Sequence, residues 1–146
     1  VISEHLGAMR VDSLIVEKAK TGPALRPLAR FYPRMLGYLL RYVLNGHDLM
    51  RFSKVVVYTD ALPVRKKRQA VEKATKRQLA EMLPASARYV VLHHASMSNP
   101  YLQVADYVNW AIYRKWDRGD TRSYDLVRQA IRSEFDIFRG GTRYYY

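Results

Sequence analysis

Two short apolar runs, Lys54-Val55-Val56-Val57-Tyr58 and Arg88-Tyr89-Val90-Val91-Leu92-His93-His94, flank a stretch in which Val71, Ala74, Leu79 and Met82 recur at near-helical steps. Runs this short and this rich in β-branched residues read as strands. A helix between two strands is long enough to cross back over a sheet, so the pair is expected to run parallel with a right-handed crossover. The unbroken apolar character of Lys54–Tyr58 predicts a central strand covered on both faces. It delivers Thr59-Asp60 at its carboxyl end, and Pro63 is placed to open the helix that follows.

The same alternation extends over the rest of the chain. Val11, Leu14, Ile15 and Val16 make a strand closed by the turn residues Lys20-Thr21-Gly22-Pro23. Leu25, Leu28, Phe31, Met35, Leu39 and Val43 then trace an amphipathic helix ending near Asn45-Gly46, with Pro33 early in it. After Pro100, Leu102, Ala105, Val108, Ile112 and Trp116 form the inner stripe of another helix, while Asp106, Asn109 and Tyr113 share an adjoining face. A last helix is expected from Tyr124 through Phe138, ended by Gly140-Gly141. The fold class predicted is α/β, a mostly parallel sheet flanked by helices.

At 146 residues, 49% hydrophobic and 12% aromatic, the chain suits one core, and residues 1–146 are expected to form a single domain. Its 25 lysines and arginines against 13 acids give a net charge of +12. Nucleic acid is the partner this favours, since each neutralised phosphate releases a counterion. The absence of cysteine removes disulfides, thiolate nucleophiles and cysteine-ligated zinc, and agrees with a cytoplasmic setting. No run is long and apolar enough for a membrane span, so no membrane partner is expected.

In parallel sheets chemistry collects at the carboxyl ends of the strands. That rule selects Asp60, the segment from His93 to Ser98 and, through the next helix, Asp106. Asp60 and Asp106 together would start a hard-cation site for Mg²⁺ or Mn²⁺ and are the catalytic candidates of a phosphodiester hydrolase. Each has a structural alternative: Asp60 as a turn or helix cap, and Asp106 as one half of an ion pair with Arg114 or a basic neighbour. His93, His94 and Asn109 are accessory candidates; strand alternation turns one histidine inward and the other outward. Ser96 and Ser98 read as caps.

Arg65, Lys66, Lys67, Arg68, Lys73, Lys76 and Arg77 crowd one helix with only Glu72 and Glu81 as acids, either a solvated face or a phosphate-binding surface. The terminal Tyr144-Tyr145-Tyr146 could stack on bases or dock on protein. No P-loop, dinucleotide fingerprint or Gly-x-Ser-x-Gly elbow occurs.

Asp60 after an apolar strand, Ser96, and the run Leu102-Gln103-Val104-Ala105-Asp106-Tyr107-Val108, continued by Trp110-Ala111-Ile112-Tyr113-Arg114-Lys115, Gly119-Asp120 and Tyr124, resemble the domain of unknown function 3800 family. The resemblance implies a ribonuclease H-like fold and, by analogy with that superfamily, a metal-dependent nuclease in which Asp60 and Asp106 hold Mg²⁺ or Mn²⁺. Members of the family usually begin with an aspartate-glutamate-serine motif on a first strand, which this sequence lacks; Asp12-Ser13 falls on a later strand. The loss of one of three carboxylates is expected to weaken metal binding, and a sheet without its first strands exposes an edge that favours a homodimer. A non-catalytic module binding nucleic acid or protein is the alternative function.

Overall fold

The computed structural model describes residues 2–61 and 64–139. In chain order the regular elements are a single turn α1 (Ile2–His5), β1 (Val11–Ile15), α2 (Leu28–Asn45), β2 (Lys54–Asp60), α3 (Arg65–Met82), β3 (Arg88–His94), α4 (Pro100–Arg118), α5 (Arg122–Val127) and β4 (Ile131–Asp136). The arrangement is α/β, with strands paired β2–β3 and β1–β4. Two compact units divide the chain. One holds the residues up to Ser13 with His94–Phe135, and the other holds Leu14–His93 with the residues from Asp136 onward.

In the second unit β2, α3 and β3 form the expected crossover. The Arg88 N–H donates to the Ser53 carbonyl at 3.0 Å before β2, and Thr59 meets His93 at the other end, so the two strands run the same way. Leu44 of α2, Leu79 of α3 and Val91 of β3 are buried together, with Val55, Val57, Met82, Leu83 and Tyr89 packed around them. Burying that set removes enough apolar surface to hold two helices on one face of the strand pair. Helix α2 ends at Asn45 with Gly46 as its cap and carries Pro33 inside, where the chain loses one helical N–H but continues.

The expectation of a β2 covered on both faces does not hold. Val56 and Tyr58 are 38% and 39% exposed, alternating with the inward Val55 and Val57. The reason is that α2 and α3 supply one face only, so an apolar run that mimics a central strand is half-buried here.

In the first unit Leu6, Leu102, Val108, Ala111, Ile112, Tyr124, Val127 and Ala130 are buried. Helix α4 starts sharply because Asn99 Oδ1 accepts from the N–H groups of Tyr101 and Leu102 while Pro100 occupies the first helical position. It stops at Gly119, whose φ of 66° lies in the left-handed region.

The final helix is also corrected. It ends at Val127, a single 3-10 turn covers Arg128–Ala130, and Ile131–Asp136 is β4. Ile131 and Phe135 continue a helical rhythm from Val127, but β1 offers an open backbone edge, and Ser133 Oγ donates to Asp12 Oδ1 at 2.5 Å across the pairing. Long-range pairing overrides local periodicity. Pro63, Gly140-Gly141 and Tyr144–Tyr146 lie outside the described residues. Among the described residues no helix is long and apolar enough to cross a membrane.

Candidate nucleic-acid interface and strand-end cluster

Because β2 and β3 are parallel, their carboxyl ends lie side by side. Thr59 Oγ1 stands 2.6 Å from His93 Nδ1, and Thr59 is 8% exposed. The other ring nitrogen, Nε2, is buried without a hydrogen-bond partner among the described residues and faces Glu72 Oε2 of α3 at 3.7 Å. Glu72 Oε1 in turn accepts from Lys76 Nζ at 2.6 Å. That hydrogen bond and charge hold the Glu72 carboxyl below its ordinary range, with His93 adding to the effect. The Thr59 hydroxyl can donate to Nδ1 or accept from it, according to which ring nitrogen of His93 carries the proton. The chain of contacts fixes the ring at the point where parallel sheets place chemistry.

Asp60 follows Thr59 and is exposed; its Oδ1 accepts from the Ala61 N–H at 2.9 Å. It does not cap α3, whose preceding residue is Val64 with no side-chain cap. Burial raises the phenol pKa of Tyr32 on α2, and the Asp60 carboxylate pushes it the same way. His94 is exposed while His93 is largely enclosed, the alternation expected of neighbours on a strand.

Asp106 is exposed on α4, as are Asn109 and Tyr113 of the same face. The anticipated pairing with Arg114 is not made: the Arg114 guanidinium binds Asp120, stacks over Trp110 at 5.2 Å and leaves Asp106 to solvent. Exposure removes the desolvation cost that made a partner necessary. Asp60 and Asp106 belong to different units. Among the described residues no three His, Asp or Glu side chains stand close enough to hold one metal ion.

The cationic helix is well defined. Its buried side is Val71, Thr75 and Leu79, with the Thr75 hydroxyl satisfied by the Val71 carbonyl at 2.8 Å. A turn of about 100° per residue puts Lys66, Lys73 and Arg77 along the opposite, outward line, about 16 Å from first to last. Lys76 is occupied by Glu72, and Glu81 takes Arg77 at 3.5 Å and Arg41 of α2 at 3.7 Å. Arg65, Lys66, Lys67 and Lys73 are exposed and have no acidic partner among the described residues; Arg68 is less exposed. With no acid in its first turn, α3 sets cations at the positive end of its own dipole, at a cost of about 0.3–1 kcal/mol each that a bound phosphate would offset.

Two features escaped the sequence reading. Thr59 and Glu72 had no motif to mark them, although the equal distances from strand end to His93 and Thr59 were readable once parallel pairing was assumed. In the first unit Glu134 collects Lys115 Nζ at 2.6 Å, Trp116 Nε1 at 2.7 Å and Tyr124 OH at 2.8 Å. Burial alone would raise its carboxyl, but these donors together bring it below the ordinary value. This is a clamp joining α4, α5 and β4, built for stability.

No protein-family model matches the chain, and no curated protein or solved structure is detectably similar to it.

Proposed function

We propose that this chain is a nucleic-acid-binding α/β domain that grips the phosphate backbone through α3. The observation that carries this reading is the outward line of Lys66, Lys73 and Arg77, with Arg65 and Lys67 beside it, in a chain of net charge +12. Backbone contact of this kind supplies affinity without base readout and weakens steeply with salt. The reading places the protein in the cytoplasm with its polyanionic partner, and an open edge of the β2–β3 pair is where a second copy would add.

A second reading makes the domain a ribonuclease H-like, metal-dependent nuclease. It is supported by the position of Asp60 at the carboxyl end of a parallel strand, one residue after the Thr59 that meets His93, and, in the other unit, by the exposed Asp106 carboxylate on α4. Cleavage of labelled single- and double-stranded DNA and RNA with Mg²⁺ or Mn²⁺ separates the two. Turnover lost in both Asp60→Asn and Asp106→Asn establishes the nuclease, whereas salt-sensitive binding without turnover leaves the binding domain.

A further inference from the structure

Between β1 and α2 the chain makes two single 3-10 turns, Lys18–Lys20 and Pro23–Leu25, joined through Thr21 and Gly22. Lys18, Ala19, Thr21, Arg26 and Phe31 line a cavity of about 320 Å³ there. None of them belongs to α3 or to the strand-end cluster. The volume falls at the lower end of the range of small-ligand pockets, about 300–1,000 Å³.

The lining is chemically specific. Thr21 is 1% exposed, and its hydroxyl has no hydrogen-bond partner among the described residues. Buried hydroxyls are nearly always satisfied, so an orphan beside a cavity is a donor held ready for something that enters. Arg26 is fixed at the same spot because its Nε donates to the Thr21 carbonyl at 3.3 Å, and its remaining guanidinium N–H groups have no partner among the described residues. Lys18 adds a second cation, with Nζ 6.0 Å from the Phe31 ring centroid. Glu17, which could neutralise Lys18, is paired with Lys20 at 2.6 Å instead. Among the described residues no acidic side chain lines the cavity.

A planar guanidinium, an ammonium and a hydroxyl converging beside an aromatic ring match a phosphate group carried on a planar ring system. We propose that this cavity binds a phosphate monoester of the nucleotide class, with Arg26, Lys18 and the Thr21 hydroxyl on the phosphate and Phe31 against the base. The chemistry is shared by a free nucleoside monophosphate and by the phosphorylated end of a strand. The pocket stands independently of backbone binding by α3.

The test is calorimetric titration of the whole chain with adenosine 5′-monophosphate, adenosine and inorganic phosphate. The monophosphate is expected to bind, adenosine not to bind measurably, and inorganic phosphate to bind about tenfold more weakly than the monophosphate for want of the ring. Arg26→Gln should weaken the monophosphate about tenfold or more, and Thr21→Val about three- to tenfold with no fall in melting temperature, since an unsatisfied hydroxyl is being removed. Lys66→Gln/Lys73→Gln/Arg77→Gln should leave this affinity unchanged. Absence of monophosphate binding at millimolar concentration, or binding indifferent to Thr21→Val and Arg26→Gln but lost in the α3 variant, would overturn the proposal. Competition by an oligonucleotide with a 5′-phosphate, and not by its 5′-hydroxyl counterpart, identifies the strand end as the ligand; competition by neither identifies the free mononucleotide, and equal competition by both would overturn the proposal, because the site would then be reading a backbone diester.

Discussion

Thr59 Oγ1 lies 2.6 Å from His93 Nδ1, a side-chain bond that ties the carboxyl ends of β2 and β3 together. With His93 Nε2 already unpartnered among the described residues, this contact is the ring's only strong hydrogen bond there. Thr59→Val keeps the shape and removes the hydroxyl, leaving a largely buried imidazole unsatisfied. The expected result is a loss of about 1–3 kcal/mol of stability, read from urea denaturation midpoints. An unchanged midpoint would show that the pair contributes nothing to holding the strand ends.

Acid should weaken the first unit through Glu134. Its carboxyl lies below the ordinary value in the folded chain, so its contribution is present above the unfolded pKa of about 4.3 and is lost as pH falls through the lower folded value. Glu134→Gln keeps an acceptor but forfeits the charge that Lys115, Trp116 and Tyr124 surround. At pH 7 it should cost about 1–3 kcal/mol, and the gap to the unaltered chain should narrow in melts below pH 4. A gap that is constant with pH would refute the clamp's ionic character.

Gly119 supplies the turn from α4 to α5 at a φ of 66°, and a Cβ built there meets nothing within 4 Å. Gly119→Ala therefore tests conformation without a clash. It should lower stability by about 1 kcal/mol, measured as a drop of a few degrees in melting temperature.

How much of this was legible in the sequence follows the range of each interaction. The βαβ unit could be read because β-branched runs and a cationic amphipathic helix are local signals, and α2 ends where Asn45-Gly46 says it should. β4 could not be read, because Ile131 and Phe135 keep a helical rhythm while the partner that makes them a strand, β1, lies more than a hundred residues away in the chain. The half-exposed β2 was hidden for a related reason: a run of valines records apolarity but not which face a neighbour covers. At the site, Asp60, His93 and the α3 cations stood out by type and position. Thr59 and Glu72 matter only through distances that the folded chain creates, and Asp106 was expected to need a partner because its sequence neighbours are apolar, although the helix turns it to solvent.

The most direct test of the central claim is the salt dependence of binding to a labelled duplex, comparing the unaltered chain with Lys66→Gln/Lys73→Gln/Arg77→Gln. If α3 holds the phosphate backbone, the logarithm of affinity should fall linearly with the logarithm of salt concentration, and the variant's slope should be shallower by about 0.9 for each lost phosphate contact, a change of about 2–3 in all. An unaltered slope and affinity in the variant would contradict the account.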